Sequence, residues 1–248
     1  MTLPFGFDGG MATYLAAALL VAAFIRGYTG FGFSAIFIAF AALVTNPVPL
    51  IPVVFTCEIL MTAFQARGIR PHIDWRRVIA LLAGAAVATI PAVTLMARLG
   101  PDMARLVVST LIFLLALFLL SGWHMSRRIG MIGHGGVGVL AGLANGAGVG
   151  GLPVAAFLTA QPMAAAVFRA TMIAFLTGVD LLALPVMAAN GLVSAQTAIG
   201  AALAFPVLGL GIWLGGKRFT RASPGGFRRA AVYLLLGLST ITLFQVLL

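Results

Sequence analysis

Two glycine-rich stretches decide how this chain folds: Arg26-Gly27-Tyr28-Thr29-Gly30-Phe31-Gly32-Phe33-Ser34 and Asn145-Gly146-Ala147-Gly148-Val149-Gly150-Gly151-Leu152-Pro153. Each interrupts sequence that is otherwise continuously apolar, the first within residues 12–44 and the second within 135–160. Setting Gly30 on Gly148 and Gly32 on Gly150 gives one common offset of 118 residues. Each stretch is expected to separate two short apolar helices.

Working outward, the surrounding sequence is that of a membrane protein. The 248 residues are 62% hydrophobic and 8% charged, with a mean hydropathy of +1.13. Soluble domains average about 45–50% apolar and about 25% charged residues, so soluble and disordered chains are excluded. Spans of about 20 apolar residues are read at 47–66, 78–97, 106–122, 163–189, 197–216 and 230–248. Each half, 1–125 and 126–248, is then a glycine-broken segment followed by three spans. Duplicated layout of this kind is a transporter signature. The expected fold is an all-α polytopic membrane protein of two inverted repeats in a single membrane domain.

Charge sets the orientation. Fifteen Lys+Arg face five acids, and Lys217 is the only lysine. Connections carry four positive residues in 67–77, two in 98–105, two in 123–134, none in 190–196 and five in 217–229. If each broken segment crosses the bilayer once, the two faces carry six and seven of these; if each enters and leaves on one face, they carry eleven and two. The positive-inside rule selects the second arrangement. A broken segment that crosses twice gives the same tally. Three true crossings per half then invert one half against the other. Both termini fall on the non-cytoplasmic face of the inner membrane and the basic loops on the cytoplasmic face, with Ala195 and Ser223 on opposite sides. The charges form no continuous basic face, so nucleic acid is not an expected partner. Cys57 is the only cysteine. No Cys/His cluster has metal-ligand spacing, and no metal or cofactor is expected. Residues 1–10 lack a basic n-region and carry Asp8, so no cleaved signal is expected.

The chemistry is expected at the breaks. Non-helical backbone at membrane depth is tolerated only when buried in protein or lining a wet cavity. A helix restarting there, near Ser34 and near Pro153, offers free N–H groups and a dipole that favour an anion. Ser34 could cap the first such helix, and Pro153 suits the first turn of the second. The expected anion site comprises Arg26, Gly27, Gly30, Gly32, Ser34, Asn145, Gly146, Gly148, Gly150, Gly151 and Arg169. The alternative is that the glycines only permit close helix packing.

Charges inside the spans each cost about 2.5–3.5 kcal/mol at a helix centre. Arg169 or Arg26 is the cationic contact for the anion; the alternatives are a structural ion pair for Arg169 and snorkelling to water for Arg26. Glu58 and Asp180 either carry protons or neutralise the arginines. Tyr28, Thr29 and Gln161 could fill out the site; Tyr28, Trp75 and Trp123 also read as interface aromatics, and His72, His124 and His134 fall in or beside the polar connections. No serine–histidine pair at membrane depth follows from this placement, and no phosphate-binding loop is present. The chain is therefore expected not to be an enzyme.

The paired Gly27-x-x-Gly30-x-Gly32 and Asn145-Gly146-x-Gly148-x-Gly150-Gly151-x-Pro153 motifs, each opening a half, resemble those of the sulfite exporter TauE/SafE family over residues 12–246. The small-residue run 209–216 followed by Lys217-Arg218 and the last apolar helix are also similar. The resemblance implies transport, usually outward, of small sulfur-containing anions such as sulfite or organosulfonates. Export would be driven by the proton gradient or the membrane potential. Uptake of another organic anion, or passive conduction, is the alternative. The expected partners are the small anion and the lipid bilayer. Small residues at Gly84-Ala85-Ala86 would permit a homodimer.

Overall fold

The computed structural model describes residues 4–122, 129–219 and 224–247. Trp123, His124 and Ser223 lie outside the described residues. The chain forms α1 (Gly9–Thr29), α2 (Phe33–Val44), α3 (Ile51–Ile69), α4 (Trp75–Arg98), α5 (Pro101–Leu120), α6 (Met131–Asn145), α7 (Gly151–Thr159), α8 (Ala165–Ala189), α9 (Ala195–Phe219) and α10 (Pro224–Leu247), with no strand among the described residues. Six helical segments are long and apolar enough to cross a membrane, namely α1, α3 with its flanking turns, α4, α5, α8 and α9.

Both glycine stretches fold as helical hairpins. Near the open end of the first, the Tyr14 hydroxyl of α1 donates to the Phe40 carbonyl of α2 at 3.2 Å, and the two rings meet edge to face. In the second, His134 of α6 meets Phe157 of α7 with ring centroids 4.9 Å apart. The hairpins open at opposite ends of the molecule. The first opens beside Leu50 and Gln196, whose Oε1 accepts from the Phe5 N–H at 2.8 Å. The second opens beside the Asp74–Arg77 turn, where Arg77 Nη1 lies 3.9 Å from Met163 Sδ. The arms are unequal. At 21 residues α1 is long enough to span a bilayer by itself, not the short arm expected. Sequence from Ala12 to Arg26 offers no helix breaker, and Asp8 caps the start by accepting from the Met11 N–H at 2.7 Å.

Glycine sets the helix spacing. Without a hydrophobic force between helices in lipid, close backbone approach supplies much of the packing energy. α4 lies against α6 and α1 against α9 in this way. A β-carbon at Gly138 would stand 2.1 Å from the Leu81 carbonyl oxygen, and one at Gly215 would stand 2.1 Å from that of Phe24. The same packing uses Gly84, where a β-carbon would meet the Gly135 carbonyl at 2.0 Å. The Gly84-Ala85 face that sequence offered to a second copy is therefore occupied within the chain. Contacts are reciprocal between halves: α1 packs on α9 as α4 does on α6, α2 on α10 as α5 does on α7, and α3 crosses α8.

These contacts give a paired prediction. Gly138→Ala puts a methyl group into unyielding backbone, and overpacking costs about 1–3 kcal/mol. At Gly136, in the same helix, a β-carbon would meet no atom within 4 Å, and Gly→Ala in a helix gains about 0.5–1 kcal/mol. In detergent, the Tm of Gly138→Ala should fall while that of Gly136→Ala holds or rises.

Candidate functional site

The first break holds a sharp corner. α1 stops because Gly30 turns left-handed (φ 84°), with its N–H on the Arg26 carbonyl at 2.8 Å. Gly32 is left-handed as well (φ 86°) and starts α2. L-residues enter this region at a cost of about 1–2 kcal/mol, which explains glycine here. The corner is tied by Thr29, whose Oγ1 sits 2.9 Å from the Ile25 carbonyl and 2.8 Å from that of Phe31. Gly32, not Ser34, caps α2; Ser34 is its second residue and is buried. The first N–H groups of α2 have no partner within the helix.

Around this corner the fold gathers the charges of the spans. Arg26, one turn before Gly30, forms an ion pair through Nη1 with Glu58 Oε1 of α3, both side chains being at most 2% exposed. Asp180 of α8, fully buried, stands against the Glu58 carboxyl and within the field of Arg26. Arg169, at the start of α8, lies over Gly30, where a β-carbon would meet its Cγ at 2.5 Å; its charge also acts on Arg26. Among the described residues, Arg26 Nε and Nη2, Glu58 Oε2 and both carboxylate oxygens of Asp180 are buried without a hydrogen-bond partner. Buried polar groups are nearly always paired, so unpartnered atoms of both signs set this cluster apart.

α3 and α8 pack against each other, and both contribute to this cluster. The 118-residue offset carries Thr62 onto Asp180 and Ile51 onto Arg169. Thr62 itself binds across the crossing, accepting from the Thr177 hydroxyl at 2.8 Å. Sequence reasoning passed over this threonine pair. The signal was present, because Thr62 lies one turn beyond Glu58 on the same face of α3.

The second break is built alike but furnished differently. Gly148 is left-handed (φ 76°), as Gly30 is, and its neighbours are Ile51 and Ile38 where Gly30 has Arg169. Gly146 packs on Ala92, Gly151 on Leu176 and Gly150 on Asn145. Gly27 packs on the Ile212 backbone of α9. Asn145 is buried, and its Nδ2 has no partner among the described residues. The charged groups thus collect at the first break alone.

Two cavities flank the cluster. One of about 440 Å³, between the end of α3 and the start of α8, is lined by Phe64, Gln65, Gly68, Ile69, His72, Ala166, Arg169 and Ala170. It lies at the Arg67–Arg77 end of the molecule. The other, about 150 Å³, lies toward the opposite end, under Phe5 and Phe7, among Leu15, Leu19, Phe37, Val54 and Cys57. Its lining is almost wholly hydrocarbon. One expectation needs correction. Tyr28 is 3% exposed and is no interface aromatic, because α1 carries it inward beside the corner. His134 lies in the first turn of α6, beside the connection as expected, but is buried, 2% exposed and edge-on against Phe157. Trp75, half-exposed at the start of α4, fits an interface position.

Removing one partner of a buried ion pair costs about 3–5 kcal/mol, because the other charge is left uncompensated. Arg26→Ala leaves two carboxyls facing each other. Its Tm should drop well below that of the native protein, and Glu58→Gln added to Arg26→Ala should restore part of the loss.

No curated protein and no solved structure matches the chain. The family described as Sulfite exporter TauE/SafE matches residues 14–242, nearly the whole length. Its members are membrane transporters of sulfite or related anions. With its apolar helices and its charged cluster at a glycine-broken hairpin, this chain is a multi-pass membrane protein that belongs to the sulfite exporter TauE/SafE family.

Proposed function

We propose that the protein is a secondary transporter that exports sulfite or a small organosulfonate by alternating access. The anion binds at the first break, between the start of α2 and the guanidinium groups of Arg26 and Arg169. One observation carries this reading: a cavity that includes Gln65 and His72 runs from the Arg67–Arg77 end to Arg169, which rests on Gly30 beside the buried Arg26–Glu58 pair. Arginine suits the task. Its planar fork matches two oxygens of an oxyanion at once, whereas lysine offers a point charge. The α2 N–H groups add donors at the same spot. Gly148, Gly150, Gly151 and Asn145 serve this site indirectly, holding the second hairpin against α2 and α3.

The reciprocal helix contacts and the oppositely opening hairpins support two inverted repeats, with halves 1–125 and 126–248. A pseudo-two-fold axis through the α3–α8 crossing would pass beside the acids. The positive-inside rule puts the Arg67–Arg77 end, and so this cavity, in the cytoplasm of a cell whose inner membrane holds the protein. Apolar packing around Phe5 and Phe7 then closes the opposite side. Rocking of the halves would open that side and shut the first. Glu58 and Asp180 are the groups able to exchange a proton during this cycle.

Purified protein in liposomes should move sulfite or methanesulfonate down its gradient. Arg169→Ala should slow that flux at least tenfold, and so should Gly30→Ala, whose new methyl group displaces the Arg169 stem. Unchanged flux in both variants would show that the anion passes elsewhere.

A further inference from the structure

We propose that the anion binds this cluster together with one proton, so that the carrier moves the two as a neutral pair. The inference rests on the anion site proposed above and adds the coupling ion, its stoichiometry and its sense.

The argument is one of charge and of unfilled bonds. Without a ligand the cluster holds two guanidinium groups, Arg26 and Arg169, and two carboxyls, Glu58 and Asp180, which can balance. Its orphaned atoms are of two kinds. Arg26 Nε and Nη2, the side-on fork of the guanidinium, face no acceptor, while Nη1 is committed to Glu58. That fork takes an oxyanion without breaking the Arg26–Glu58 pair. Glu58 Oε2 and both Asp180 oxygens face no donor. A hydrogen bond between adjoining carboxyls requires a proton on one of them. An anion on the fork leaves this buried cluster one negative charge in excess. Arginine cannot change its charge, so the carboxyl pair restores balance by taking one proton from water in the cytoplasmic cavity. The proton goes onto a carboxyl oxygen of Asp180 or Glu58 and leaves with the anion.

Among the described residues, the titratable and charged groups around the pair are Arg26 and Tyr28 from α1, Arg169 from α8 and Cys57 beside Glu58 on α3, with His72 on the wall of the cavity that reaches Arg169. α2, α7 and residues 195–216 of α9 carry no titratable side chain, and those of α4 (Arg76, Arg77 and Arg98) and α6 (His134) lie at the ends of their helices. For a monovalent anion the transported pair carries no net charge. Flux then follows the product of the anion and proton gradients and ignores the membrane potential. It runs outward when the anion accumulates inside.

Calorimetric titration of the purified protein with methanesulfonate, a fixed monovalent anion, and with sulfite tests this. Titrations in two buffers of different ionisation enthalpy count the protons exchanged. The expected result is uptake of about one proton per methanesulfonate, with affinity falling up to tenfold per pH unit as pH rises. Asp180→Asn and Glu58→Gln should each reduce proton uptake and flatten the pH dependence while binding persists. Size-exclusion chromatography confirms that each variant is folded, and either one suffices. Proton release, or an affinity indifferent to pH in the native protein, overturns the inference and leaves the anion site standing. Absence of binding by both anions at every pH overturns the anion site as well.

Discussion

A buried ion pair between Arg26 and Glu58, with Asp180 against it, is the constraint on which the rest of the structure depends. Charges at membrane depth must be paired or lodged in a polar cavity. These three come from α1, α3 and α8, so those helices must converge at one point and at one depth. Convergence is possible because α1 stops at Gly30 and the chain turns away before it would collide with α8. The left-handed glycines are thus the means by which a guanidinium, two carboxyls and a helix N-terminus share one small volume. The same close approach of α4 to α6 and of α1 to α9, through glycine against backbone, holds the frame around them.

Reciprocal helix contacts run through the architecture, while the charges fall unevenly across it. Equivalent positions carry Arg169 over Gly30 and Ile51 over Gly148, and Asp180 where the other half has Thr62. Both breaks turn on a left-handed glycine, and the second has isoleucines where the first has Arg169. A symmetric site between two helix N-termini is the first expectation from the sequence; we propose instead a one-sided site at the first hairpin. The second hairpin then serves as its apolar support. That division leaves a single charged cluster near the α3–α8 crossing, which a rocking of the halves would expose to each face in turn.

Much of this was legible in the sequence, for identifiable reasons. Glycine breaks, span lengths and charged residues are local signals, so the helices fall where hydropathy and breakers put them. Arg26, Glu58, Asp180 and Arg169 stand out because charge is rare in this chain. Their pairing was not legible. Arg26 and Glu58 are 32 residues apart in sequence, and only the packing of α1, α3 and α8 decides which charge meets which. Burial was misjudged where a polar residue sits at the edge of an apolar run: Tyr28 and His134 look like boundary residues and are carried inward by hairpins the linear sequence does not display. Ser34 failed as a cap because a left-handed Gly32 had already started the helix. The full length of α1 was masked by grouping it with α2 as one broken unit.

The central claim is that the free fork of Arg26 holds the anion. Equilibrium binding of radiolabelled sulfite to the native protein and to Arg26→Lys tests it most directly. Lysine keeps the positive charge beside Glu58 but removes the fork. The account predicts a folded variant whose affinity falls at least tenfold; undiminished binding by that variant would contradict it.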